Sequence, residues 1–103
     1  MKRRRVSLSR DARIDLAEIY DLIADASGPS IAIGYIDRLK RFCLGFELTA
    51  MRGSARDDVL PGLRIVGFER RVTIAFLVRE EDVVILRYFY GGRDWEKQLF
   101  DGR

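Results

Sequence analysis

Three apolar runs, Leu63–Phe68, Val72–Val78 and Val83–Tyr90, follow one another with only Glu69-Arg70-Arg71 and Arg79-Glu80-Glu81-Asp82 between them. Runs of this length, rich in Val, Ile, Phe and Tyr and joined by short polar links, read as β-strands. The breaks leave no room for a crossover helix, so the strands must form an antiparallel meander. In the middle run Val72, Ile74, Phe76 and Val78 share one face, and Arg71, Thr73, Ala75 and Leu77 the other. In the last run Val83, Ile85, Arg87 and Phe89 alternate with Val84, Leu86, Tyr88 and Tyr90. Both faces are largely apolar. The expectation is a sheet covered by helices on one side, with the second side open as a partner surface.

The residues before the meander supply the cover. Arg3 to Ser9 alternates, with Val6 and Leu8 on one face, and reads as a short strand at or near a sheet edge. Ser9 offers an N-cap, and Ala12, Leu16, Ile19, Tyr20 and Ile23 form one helical stripe ending near Asp25. Ser27-Gly28-Pro29-Ser30 breaks that helix and opens a second one. Its stripe is Ala32, Tyr35, Ile36, Leu39, Phe42, Cys43 and Phe46, which makes Cys43 a small core residue rather than a reactive thiol. So short a link predicts an antiparallel helical hairpin facing the sheet. Residues 48–61 read as a surface loop, and Asp94 as the cap of a short tail helix through Trp95, Leu99 and Phe100. The fold class is α+β, with residues 1–103 expected to form a single domain.

Composition limits the chemistry. The 103 residues include no histidine and one cysteine, which excludes serine triads, cysteine–histidine pairs, an internal disulfide and cysteine-based zinc clusters. Net charge is +3, and only three of the 19 basic residues are lysines. Arginine's planar fork suits phosphate and carboxylate partners. No apolar run reaches membrane-spanning length and none of signal-peptide length follows Met1, so a cytoplasmic protein with no membrane association is expected.

Three constellations carry candidate chemistry. Arg52, Arg56, Arg64, Arg71, Arg87 and Arg93, with Tyr88 and Tyr90, could grip a phosphodiester. Tyrosine is a weak base near neutrality and arginine does not readily take up a proton, so catalysis there is under-equipped. The plainer reading of each arginine is a solvated or acid-paired side chain. Asp57, Asp58 and Asp94 could hold Mg²⁺, but no spacing brings Asp94 to the pair. Phe68, Tyr88, Tyr90, Trp95, Leu99 and Phe100, if exposed, would form a protein-binding patch.

The chain resembles the ParE/RelE superfamily of bacterial toxins from type II toxin–antitoxin systems, and its ParE branch in particular. The matches are Leu8-Ser9 with Ala12 and Asp15-Leu16, Tyr35-Ile36-Asp37-Arg38-Leu39, Arg56-Asp57-Asp58 through Pro61-Gly62-Leu63-Arg64, Gly67-Phe68-Glu69-Arg70-Arg71, Ile85-Leu86-Arg87 and Gly91-Gly92-Arg93-Asp94. The resemblance implies a toxin that traps the cleaved-DNA complex of DNA gyrase, acting by binding rather than turnover. It also implies a hetero-oligomer with a cognate ParD-like antitoxin, whose other half usually binds DNA. This chain itself is then not expected to read DNA sequence, nor to need a cofactor or metal. Under that reading the target contacts are Arg64, Arg71, Arg87, Arg93, Asp94, Trp95, Leu99 and Phe100. The antitoxin would fill the groove between hairpin and sheet, against Leu16, Tyr20, Tyr35, Leu39, Phe68, Phe76, Tyr88 and Tyr90. The alternatives are a ribosome-dependent endoribonuclease of RelE type and an inactive binding module of the same fold. Arg64 and Arg93 fall where RelE-type enzymes keep functional arginines, but Leu99 stands where their catalytic tyrosine would be and their lysine cluster before the meander is missing.

Overall fold

The computed structural model describes residues 2–91 and 94–101, with the backbone alone at 100 and 101. Its elements run β1 (Arg5–Leu8), α1 (Arg10–Ser27), α2 (Pro29–Leu44), a 3₁₀ turn (Gly45–Glu47), β2 (Ser54–Ala55), β3 (Leu63–Phe68), β4 (Val72–Val78), β5 (Asp82–Tyr90) and α3 (Trp95–Asp101). The α+β class holds, and β3–β4–β5 is the expected antiparallel meander. The whole sheet is five-stranded and mixed, in the order β1-β5-β4-β3-β2, with β1 parallel to β5 at one edge.

Local chemistry sets the helix ends. Ser9 Oγ accepts the Ala12 N–H at 3.0 Å and donates to the Leu86 carbonyl at 2.7 Å, so the N-cap of α1 is also bonded to β5. Helix α1 runs two residues beyond the expected end, to Ser27, where Gly28 at φ 98° closes it and Pro29 opens α2. A side chain at that φ would be strained, which is why a one-residue link suffices here and only glycine fits it. The stripes bury as expected, except that Tyr20, Ile36 and Phe42 are only half-buried.

The loop expected over residues 48–61 contains the short strand β2, which pairs with β3 through Ser54–Ile65 and Ala55–Arg64. Gly53 leads into it at φ 72°, and a Cβ there would lie 2.2 Å from the Ile65 carbonyl oxygen. Two residues carry too little hydrophobic pattern for a strand to be read from sequence.

The strict alternation expected for β5 also fails. Arg87 pairs with Ala75 and Ile85 with Phe76, leaving Leu86 unmatched in a bulge. Val83 and Ile85 therefore face the helices, and beyond the bulge Tyr88 does so while Phe89 turns to the opposite face. That opposite face is not open. Leu63, Ala75 and Phe89 are covered there by Val59, Ile65, Leu77, Leu86, Trp95 and Leu99, so the turn before β3 and the chain's own tail helix close the side expected to await a partner.

Beyond Leu8 the edge of β5 has no strand beside it among the described residues, and α1 takes that place. The Ser9 N–H donates to Ile85 O at 2.9 Å, and the Asp15 carboxylate accepts the Tyr88 N–H at 2.9 Å. Arg87 clasps the same carboxylate through Nε at 2.7 Å and Nη2 at 3.0 Å. Asp15 is only 5% exposed, so its charge is viable only with these donors. Asp15→Ala should cost about 3–5 kcal/mol in urea unfolding by stranding the Arg87 charge, while Asp15→Leu combined with Arg87→Met should recover much of it. Equal losses in the two variants would refute this account.

Candidate functional site

Most of the arginines that looked free in the sequence are engaged within the chain. Arg87 is held by Asp15, which raises its pKa further, and its guanidinium lies 5.1 Å from the Phe89 ring centre. Arg64 donates to the Arg52 and Gly53 carbonyls at 2.9 and 3.2 Å, fastening the lead-in of β2 to β3. Arg52 stacks over Phe42 and Phe46 at 4.8 and 5.5 Å. Arg56 forks onto Asp58 at 2.9 and 2.8 Å, reaches Glu96 at 2.6 Å and lies 5.0 Å over Trp95. Each of these four arginines is thus engaged within the chain, which favours the plainer, partnered reading for them. Arg93 lies outside the described residues.

The acidic trio is dispersed as well. Asp57 accepts the Gly62 N–H at 2.8 Å, Asp58 is bound to Arg56, and Asp94 caps the tail helix through the Lys97 N–H at 3.3 Å. Among the described residues no group of three His, Cys, Asp or Glu side chains could hold a metal ion. No described helix is long and apolar enough to cross a membrane.

The residues expected to face an antitoxin divide sharply. Leu16, Tyr35, Leu39, Phe68, Phe76 and Tyr88 are core residues between the helices and the sheet, and of these only Leu16, Tyr35 and Tyr88 reach the edge of a surface hollow. Only Tyr20 and Tyr90 remain half-buried. Of the aromatic patch, Phe68 and Tyr88 are buried, Trp95 and Leu99 are half-buried on the second face, and the Phe100 side chain lies outside the description. Burial pushes the Cys43 thiol up to about 11 and raises the Tyr88 hydroxyl too, and the two meet at 3.4 Å. Neither is an ionised nucleophile or base near neutrality.

One hollow does combine open space with unmet polarity. It lies between the α1–α2 corner and the β3–β4 turn, with a volume of about 680 Å³. The turn carries Glu69 and Arg70 at φ 49° and 59° and is closed by the Arg71 N–H to Phe68 O at 3.1 Å. These left-handed conformations suit the twist of a tight hairpin but are uncommon for such residues. They set Glu69 against α2, where Arg38 grips it at 2.9 Å through both Nε and Nη2. That hydrogen bonding pulls the Glu69 carboxyl below its ordinary range.

Behind this pair sits Tyr35, 5% exposed, with its ring beneath Arg38 at 5.4 Å and edge-on to Phe68 at 5.6 Å. Its hydroxyl is buried and has no hydrogen-bond partner among the described residues. Burial, with the Glu69 charge adding, pushes it up to about 12. Arg71 donates to the Tyr90 hydroxyl at 3.4 Å and has no carboxylate partner among the described residues. Leu22 and Ile31 stand at the rim, 47% and 57% exposed. Sequence reasoning singled out Tyr35, Arg71 and Tyr90 but missed Arg38, Glu69, Leu22 and Ile31. The only available signal was an apolar residue off the buried stripe near the facing end of each helix.

This fold is similar to that of a solved chain from a structure of the chromosomal ParDE toxin–antitoxin system from P. aeruginosa. The two chains are 26% identical and superpose with a TM-score of 0.74 over 85% of this chain and 96% of that one. The fold is therefore that of a toxin–antitoxin component. The chain belongs to the ParE toxin family, since the model of that family, described as the ParE toxin of the type II toxin–antitoxin system parDE, matches residues 6–95. No curated protein matches it.

Two outcomes test this geometry. Tyr35→Phe should raise stability by about 1–3 kcal/mol in urea unfolding, because it deletes a buried hydroxyl with no hydrogen-bond partner among the described residues; a loss of stability would show that the hydroxyl is satisfied in solution. Arg56 hydrogen bonding also lowers the Asp58 carboxyl, so that clamp is complete above pH about 4 and is lost as pH falls through the depressed folded value. The single tryptophan, Trp95, should report this as an acid fluorescence step that is absent in Asp58→Asn.

Proposed function

We propose that this chain is a toxin acting by binding DNA gyrase and trapping its cleaved-DNA complex, and that a ParD-like antitoxin neutralises it. Family membership supports the toxin assignment. The observation that carries the antitoxin half is the distribution of exposed apolar residues. Of the eight large ones among the described residues, Ile14, Leu22, Ile31, Ile33 and Leu44 belong to the helical hairpin. Exposed apolar side chains on this scale are what a surface covered by a partner requires. The sheet's second face, sealed by the tail, has less to offer.

Action by binding rather than turnover is supported by the state of the polar groups. An RNA-cleaving site needs a proton acceptor beside stabilising cations. Here Tyr35 and Tyr88 are held protonated by burial, and Arg64 is committed to two backbone carbonyls. Arg71 and Asp94 are exposed to a target, and Glu96 is exposed as well although it is paired with Arg56. Arg87, read from the sequence as a target contact, is the poorest candidate of that set, because only 16% of its side chain is exposed. A protein with this role works in the cytoplasm, where gyrase is.

Purified toxin incubated with gyrase and supercoiled plasmid should yield linear DNA, and excess antitoxin should abolish it. Growth arrest at toxin levels that give no gyrase-dependent cleavage would defeat the gyrase assignment and direct attention to messenger RNA on ribosomes.

A further inference from the structure

The β1 edge of the sheet carries cations that no described carboxylate neutralises. Strand β1 is outermost on its side, and its inward groups serve β5: the Arg5 N–H donates to Glu81 O at 3.1 Å and the Ser9 N–H to Ile85 O at 2.9 Å. Alternation along the strand therefore turns the N–H groups of Val6 and Leu8 to the outside. Three hollows follow this edge and share lining residues. One of about 430 Å³ has Arg13 and Lys40 beside an apolar wall of Leu8, Leu16, Tyr20 and Ile36. The second shares Leu8 and Lys40 with it. The third, of about 620 Å³, shares Val6 and Leu44 with the second and is lined by Arg3, Arg4 and Arg5.

The acids bordering these hollows are already paired. Glu47 meets Arg3 at 3.1 Å, Glu81 lies 3.8 Å from Lys2, and Asp82 is held by Arg79 at 2.9 Å. Asp37, near Lys40 on α2, pairs with Arg41 at 2.9 Å. Asp11 and Glu18 act on Arg87 instead, since they lie roughly 140–160° around α1 from Arg13. Among the described residues, Arg4, Arg5, Arg10, Arg13 and Lys40 are left with no carboxylate at salt-bridge distance, and Arg4 is bonded only to a neutral carbonyl, Arg79 O, at 2.9 Å.

We propose that this edge grips the sugar–phosphate backbone of the DNA that gyrase holds, without reading base sequence. This rests on the reading that the chain traps the cleaved-DNA complex of gyrase. Charge complementarity selects the occupant. A strand edge about 13 Å long, lined by cations, matches a polyanion with one charge about every 3.4 Å along each strand. Guanidinium groups and outward backbone N–H groups are donors that phosphate oxygens accept. The apolar walls strengthen the attraction, because a cleft of one sign with low-dielectric sides focuses its field. Cations on an edge strand also oppose pairing with a second copy of the chain, which would set like charges together. Contacts to enzyme and DNA at once favour the complex that contains both.

Fluorescence anisotropy would follow the full-length protein binding two labelled duplexes of unrelated sequence across a salt series. Wild type would be compared with Arg13→Ala/Lys40→Ala and with Arg70→Ala/Lys97→Ala. The second pair removes the same charge from the β3–β4 turn and the tail helix. Wild type should bind both duplexes alike and weaken as salt rises. Arg13→Ala/Lys40→Ala should bind about tenfold more weakly, with a salt slope shallower by about 2, while melting as wild type does. It should also need several-fold more toxin to linearise plasmid with gyrase. Arg70→Ala/Lys97→Ala should bind DNA within about twofold of wild type. If wild type binds neither duplex, or the two double variants weaken equally, the grip is refuted while gyrase trapping stands on the linear DNA. If Arg13→Ala/Lys40→Ala binds DNA as wild type does but loses the antitoxin, the edge serves a protein and the proposal is refuted as well. If wild type binds DNA yet yields no linear plasmid with gyrase, the parent reading falls and this proposal with it.

Discussion

The clasp of Asp15 by Arg87 and the Tyr88 N–H holds the architecture together where the sheet would otherwise be open. Strand β1 ends at Leu8, and an unpaired edge on β5 would leave backbone groups without partners close to the core. Ser9 and Asp15 answer that need from α1, bonding Ile85 O, Leu86 O and Tyr88 N in turn. One helix thus serves as both cover and edge partner. Because a charged pair so little exposed has a desolvation cost, its merit is positional: it allows one placement of α1 along β5.

That placement determines what remains for function. With α1 and α2 seated on one face, Tyr88, Phe76 and Leu39 become core, and the bulge at Leu86 turns Phe89 to the other face to pack beneath the tail helix. Arg56 then joins turn to tail through Asp58 and Glu96. Neither face of the sheet is left bare. Exposed apolar surface concentrates on the outside of the helical hairpin, and unmet polarity at the corner where the hairpin meets the β3–β4 turn.

The corner has the marks of a site kept at some cost to the free fold. Two non-glycine residues hold positive φ, and a tyrosine hydroxyl is buried without a hydrogen-bond partner among the described residues. Features of this kind persist where the surroundings enforce them, and they tend to coincide with places that bind. Here the enforcing contacts are the Arg38–Glu69 fork and the packing of the Tyr35 ring on Phe68.

Apart from the two-residue strand β2, the order of elements was legible in the sequence because each rested on a local rule. The meander followed from runs with breaks too short for helices, the hairpin from two 3.6-residue stripes around Gly28-Pro29, and the N-cap from Ser9 ahead of Ala12. Cys43 was readable as core from its stripe alone, and it is 2% exposed. The fates of polar side chains were not legible, because they depend on partners far away in sequence. Asp15 lies on α1 and Arg87 on β5, and Arg64 bonds carbonyls eleven and twelve residues upstream. A strict period of two also failed once Leu86 bulged, which moved Phe89 across the sheet. The sequence by itself thus determined the elements and their order, since hydrophobic period and capping act over a few residues. Only the tertiary structure decided which cations are paired within the fold and which, Arg71 among them, have no carboxylate within salt-bridge distance among the described residues. Charge pairing is settled by proximity in space, and sequence spacing does not encode it.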